Sequence, residues 1–128
     1  MDEKQFMNSD FEQLAVWKKG CRLAVLLYDK LKNCKDLGLY SQMTRAAVSI
    51  PSNIAEGAER KTDKDFVHFL YIAKGSAAEL RTQLYIAREL KVISPDDTKL
   101  LVRECKEISK MLKGLINALY EQKLDSPV

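Results

Sequence analysis

Leu101, Cys105, Ile108, Leu112, Leu115 and Leu119 recur at alternating spacings of four and three. Only an α-helix turns that period into one continuous face. Three earlier segments repeat it. Leu14, Trp17, Cys21, Ala24, Tyr28 and Leu31 mark a helix over about residues 11–32. Leu39, Met43, Ala46, Ile50, Ile54 and Gly57 mark a second over about 39–60. Phe66, Phe69 or Leu70, Ala73, Ala77, Leu80, Leu84 and Ala87 mark a third over about 63–91. The C-terminal stripe belongs to a fourth over about 95–122, and the chain after Gln122 is expected to fray.

Local signals support these ends. Ser9 with Glu12, or Asp10 with Gln13, would make a capping box for the first helix. Asn33–Gly38 reads as a loop. Thr62 and Asp65 form a capping pair for the third helix. Ser94-Pro95-Asp96-Asp97 supplies an N-cap, a first-turn proline and helix-start acids for the fourth. Pro51 lies in the middle of the second helix, where it removes a backbone hydrogen bond. Asn53 and Glu56 could cap a new start there. The apolar period keeps phase across Pro51, so the expectation is one helix kinked at that residue.

Connections of about two to six residues force successive helices to run antiparallel. The expected fold is all-α, an up-down-up-down four-helix bundle forming one domain over residues 1–128. Five Gly and three Pro argue against a turn-rich β fold.

Some helices are apolar beyond their stripe. Leu23-Ala24-Val25-Leu26-Leu27-Tyr28 surrounds its axis, and Val16, Leu23 and Leu27 lie off the first stripe. Leu100, Met111, Ile116 and Tyr120 lie beside the fourth. Two explanations fit: a broad core stripe, or a subunit interface.

Polar residues also keep helical register. Gln42, Arg45, Ser49, Asn53, Glu56 and Arg60 follow one line on the second helix, and Ser76, Glu79 and Gln83 another on the third. If these lines meet, Arg45 would pair with Glu79 and Asn53 with Ser76, so that Arg45→Ala would lower stability. Two solvated faces, a structural polar network, and a ligand or catalytic site remain open as alternatives. Lys99, Arg103, Lys106, Lys110 and Lys113 make a basic stripe on the fourth helix. Lys74, Arg81 and Arg88 repeat every seven residues on the third, and Lys18, Lys19 and Arg22 cluster on the first. Such stripes are either solvated faces or, multiplied in an oligomer, lines of cations suited to phosphate.

Several chemistries lack their residues. The single His68 follows Asp65 at one Asp-x-x-His spacing, with no second copy for a di-iron bundle and no zinc set. No Gly-x-Ser-x-Gly elbow, Walker loop or dinucleotide fingerprint occurs. Asp63 with Asp65, and Asp96 with Asp97, are helix-start acids. The sequence therefore predicts no enzyme, no cofactor and no metal. Cys21, Cys34 and Cys105 are odd in number, with no Cys-x-x-Cys pair, and read as reduced thiols of a cytoplasmic protein. Met1–Asp10 has no signal-peptide core, and no apolar run approaches a membrane span. The net charge of +3 does not by itself announce nucleic-acid binding.

Two runs are distinctive: Arg45-Ala-Ala-Val-Ser49-Ile-Pro51-Ser-Asn53-Ile-Ala-Glu56-Gly57 followed by Arg60, and Phe66-x-x-Phe69-Leu70-x-Ile72-Ala73-x-Gly75-Ser76-x-x-Glu79-Leu80-x-Thr82-Gln83-Leu84. With Leu14-x-Val16-Trp17, they resemble the bacterial four-helix bundle proteins of the 23S rRNA intervening-sequence family, over about Phe11 to Leu119. A more distant similarity is to the accessory variability protein of diversity-generating retroelements, a basic pentamer that binds nucleic acid and a reverse transcriptase. The resemblance implies an antiparallel bundle assembled as a homopentameric barrel. It also marks Arg45, Ser49, Pro51, Asn53, Glu56, Gly57, Arg60, Ser76 and Glu79 as motif positions. Among these, Arg45, Ser49, Asn53, Glu56, Ser76 and Glu79 are expected to share one buried network, and Gly57 with Gly75 to permit close helix approach. Five copies at +3 each would carry about +15, which favours a collective basic site. Two functions follow as expectations. One is a non-enzymatic oligomer binding RNA or DNA through its basic stripes. The other is a protein-interaction scaffold.

Overall fold

Three of the four long helices start where a side-chain oxygen answers a free backbone N–H. The structure, a computed structural model, describes residues 10–125, with side chains through Glu121. Asp10 accepts from the Glu12 N–H at 3.0 Å and caps one 3₁₀ turn, Phe11–Gln13. Leu14 is extended, so the first long helix, α1 (Ala15–Lys30), begins beyond it rather than at residue 11. The alternative cap at Ser9 lies outside the described residues. Asp36 accepts from the Leu39 N–H at 3.0 Å and opens α2 (Leu37–Ala58) inside the stretch the sequence suggests as loop. Thr62 accepts from Asp65 at 3.1 Å at the head of α3 (Asp63–Glu89). Ser94 accepts from Asp97 at 3.1 Å before α4, Pro95–Asp125. α4 stays helical past Gln122 as far as Asp125, and residues 126–128 lie outside the described range.

α2 runs unbroken through Pro51, as its phase requires. The ring is buried against α1: a Cβ at Gly20 would lie 3.3 Å from Pro51 Cδ. Pro51 thus replaces a backbone hydrogen bond with apolar contact at the α1/α2 crossing.

Contacts between neighbouring helices fix the topology. Gly20 meets Pro51, and Tyr28 packs edge-on against Tyr40 at 5.9 Å, joining α1 to α2. Ser49 meets Ser76 and Gly57 meets Phe69, joining α2 to α3. Val67 lies near Leu119, and Ala78 near Cys105, joining α3 to α4. Lys19 reaches Glu104 and Lys30 reaches Asp97, closing α4 onto α1. Within each pair, numbers rise along one helix as they fall along the other. The result is an up-down-up-down four-helix bundle with α1 and α3 at opposite corners. No strand occurs among the described residues.

Leu27, Leu31, Met43, Ile50, Ile54, Leu70, Leu80, Leu84, Leu101, Ile108 and Leu112 fill the core. One expected face is shifted: Ala24 and Leu31 of the α1 stripe are buried and Leu14 and Trp17 pack against the core, but the stripe does not form its centre. α1 buries Val16, Gly20, Leu23, Ala24 and Leu27. Trp17 and Cys21 are only half-buried, and Tyr28 is exposed. Both lines on α1 have the helical period. The leucine-rich line wins because it buries more aliphatic surface and leaves Lys18 and Arg22 in water. Ile116, expected beside the fourth stripe, is buried, while Leu115 and Leu119 sit at its margin. No helix among the described residues is long and apolar enough to cross a membrane.

Candidate functional site

The polar lines of α2 and α3 do meet, but they divide into three parts. Asn53 Nδ2 donates to the Ser49 carbonyl at 2.8 Å and to Ser49 Oγ at 2.9 Å. Ser49 Oγ lies 2.8 Å from Ser76 Oγ. Asn53 therefore folds back on its own helix, and Ser49 stands between it and Ser76. Glu56 instead pairs with Arg60 at 2.9 Å on the outer surface. Arg45 and Glu79 are both exposed and do not form the expected ion pair. Water solvates the two charges better than a marginal surface contact would. They flank an open groove of about 330 Å³ with Gln42, Ser49 and Ser76. Glu79 accepts from Gln83 Nε2 at 3.4 Å, while the buried Gln83 Oε1 has no partner. Gly57 does allow close approach; Gly75 does not, since a Cβ there would meet nothing within 4 Å.

The second feature is a partition of charge across α4. Lys19 of α1 bridges Glu104 and Glu107 at 2.7 Å each, and Lys30 contacts Asp97 at 3.4 Å. Hydrogen bonding to Glu104, then Glu107, holds the Lys19 pKa above its ordinary value. The Lys19 hydrogen bond holds the Glu107 carboxyl below its own. These acids of α4 are thus turned toward α1. Lys99, Arg103, Lys106, Lys110 and Lys113 are exposed on the remaining side, with no acid partner among the described residues. Lys74 and Arg81 of α3 are half-buried and equally unpaired there. Arg88 differs: it pairs with Glu89 at 3.1 Å and lies over the Tyr85 ring at 5.4 Å.

Between α3 and α4 lies a hollow of about 360 Å³, lined by Tyr71, Lys74, Gly75, Arg81, Cys105 and Ser109 among others. Burial pushes the Cys105 thiol up to about 12, so it is neutral at physiological pH and a poor nucleophile. Sequence reasoning passed over Tyr71, Tyr85 and Ser109. The available signal was the 3–4 line Tyr71, Lys74, Ala78, Arg81, Tyr85 and Arg88. His68 is exposed, its ring edge-on to Phe69 at 5.5 Å. Among the described residues no three His, Cys, Asp or Glu gather as metal ligands.

Fold and charge together define an antiparallel four-helix bundle with one acid-clasped side and one unpaired basic side. The chain belongs to the 23S rRNA-intervening sequence protein family, which it matches over residues 12–114. It is similar in structure to a protein of unknown function from the S23 ribosomal protein family of Bacteroides thetaiotaomicron. That likeness has a TM-score of 0.75 and 24% identity, covering 80% of this chain and 98% of the other. At that identity it speaks for the fold alone. No curated protein matches the chain.

Proposed function

We propose that the protein is a cytoplasmic, non-enzymatic bundle, bent at Pro51, that assembles into a homopentameric ring and binds RNA or DNA through its basic side. The observation that carries the binding is the charge partition. Lys19 and Lys30 of α1 engage Glu104, Glu107 and Asp97 of α4, while seven cations, Lys74, Arg81, Lys99, Arg103, Lys106, Lys110 and Lys113, form no ion pair among the described residues. Five of them follow one line of α4 over about 21 Å, a spacing suited to successive phosphates.

Ring assembly draws on two exposed apolar patches at opposite corners. Val25 on α1 is 71% exposed beside Leu26 and Cys21, and Ile72 and Ile86 on α3 are exposed together with Leu90, the residue that follows α3 and is 60% exposed. Unlike patches on opposite sides make a head-to-tail contact, which closes into a ring when the rotation allows. This contact leaves the α4-facing side of α3 free. The same patches favour the second function, a protein scaffold.

Labelled RNA and DNA binding at ~50 and ~200 mM salt, with a light-scattering mass on the same sample, separates the two. Phosphate binding weakens steeply with salt and is abolished by Lys106→Glu with Lys110→Glu. A pentamer that binds neither polymer at either salt leaves the scaffold.

A further inference from the structure

We infer that the groove between α3 and α4 is a site for single-stranded nucleic acid, with phosphates held at Lys74 and Arg81 and bases stacked on Tyr71 and Tyr85. This rests on the nucleic-acid function proposed above and narrows it to a strand type and a set of residues.

Three observations converge on that groove. Tyr71, Lys74, Arg81 and Tyr85 share one face of α3, because steps of three, seven and four residues return to the same side. The two rings stand about 21 Å apart along the helix, with both cations between them. Tyr71 is 52% exposed and Tyr85 37% exposed. Tyr71 lines the hollow, and Tyr85 stands one turn beyond Arg81 with Arg88 over one face of its ring, which leaves the other face for a base. Aromatic platforms interleaved with cations suit a strand whose bases are free to stack. A duplex keeps its bases paired and would use the cations alone.

The hollow itself fits a backbone group. It holds about 360 Å³, and nothing lies within 4 Å of where a Gly75 Cβ would stand. Lys74 and Arg81 border it, and neither forms an ion pair among the described residues. The Ser109 hydroxyl lines the α4 wall and can donate to a phosphate or a base. Lys106 and Lys113, one turn to either side of Ser109, extend the positive field along α4. The neutral Cys105 thiol adds no negative charge to the floor. RNA and DNA single strands share this chemistry and differ only in the 2′-hydroxyl.

The test is fluorescence anisotropy of the full chain with a labelled 12-mer of oligo-U, a 12-mer of oligo-dT and a 12-base-pair DNA duplex. Wild type should bind at least one single strand about tenfold more tightly than the duplex. Tyr71→Ala and Tyr85→Ala should each weaken single-strand binding by about tenfold, leaving duplex binding and the salt slope unchanged. Tyr71→Phe should retain binding, because the ring and not the hydroxyl stacks. Photocrosslinking of a 5-bromouridine 12-mer to the wild type should map to peptides carrying Tyr71 or Tyr85, a readout that needs no substitution. Equal duplex and single-strand affinities with unchanged tyrosine variants, or crosslinks confined to other peptides, would overturn the groove and leave phosphate binding by α4 standing. No binding to any of the three probes would overturn both.

Discussion

The Ser49 hydroxyl of α2 lies 2.8 Å from the Ser76 hydroxyl of α3, and the same Ser49 oxygen receives Asn53 Nδ2 at 2.9 Å. One small side chain therefore joins two helices and fixes an amide. Ser49→Ala removes both contacts at a part-buried position. It should lower unfolding free energy by about 1–2 kcal/mol, and Ser76→Ala, which breaks one contact, by less. Urea midpoints at fixed protein concentration measure the difference. Arg45→Ala should leave the midpoint unchanged, because Arg45 pairs with no acid among the described residues.

Gly57 and Phe69 set the α2/α3 distance. A Cβ at Gly57 would stand 2.6 Å from Phe69 Cβ and 3.3 Å from the Phe66 carbonyl oxygen. Neither atom is the end of a flexible chain, so the helices must part. Gly57→Ala should destabilise by about 1–3 kcal/mol despite alanine's better helix propensity. Gly114→Ala provides the contrast: its Cβ meets nothing within 4 Å, and the variant should gain up to about 1 kcal/mol. Equal effects of opposite expectation would show that packing does not separate the two sites.

These positions also show what the sequence could and could not convey. The α4 stripe was legible because Leu101, Ile108 and Leu112 dominate their helix. On α1 two lines share one period, and only packing against Pro51 and α4 selects the line through Gly20 and Leu27. Register placed Ser49, Asn53 and Ser76 together. Which way Asn53 turns depends on a rotamer, and periodicity does not encode it. The basic stripes were visible as lines of Lys and Arg. That Lys19 and Lys30 draw the α4 acids to the other side is a long-range pairing that no local pattern reports.

Lys91 closes α3 in a left-handed conformation, φ 61°, with its N–H on Arg88 O at 3.0 Å and the Val92 N–H on Ala87 O at 2.9 Å. Those two bonds satisfy carbonyls at the helix end in a Schellman turn, where glycine is the usual occupant. A lysine there carries Cβ strain that glycine avoids. Glycine's larger unfolded-state entropy offsets part of the gain. Lys91→Gly should raise stability by about 0.5–1 kcal/mol, read as a higher Tm, whereas Lys91→Ala keeps the strain and should not.

The α1/α4 clasp should make stability depend on pH at both extremes. Glu107 has its pKa lowered chiefly by the Lys19 hydrogen bond, from an ordinary value of 4.5. Its stabilising contribution is full above 4.5 and is lost as pH falls through the lowered folded value. Lys19 has its pKa raised from 10.5, chiefly by Glu104. Its contribution is full below 10.5 and is lost as pH rises through the raised folded value. Lys19→Met removes both ends of the linkage, and its Tm should fall by a small, salt-sensitive amount because the carboxylates are partly exposed. The gap between wild type and variant should be widest between pH 4.5 and 10.5 and narrow beyond either limit. Thermal melts across that range, at low and high salt, measure it. A gap independent of pH would mean that Lys19 acts through its aliphatic stem on the bundle surface and not through its charge.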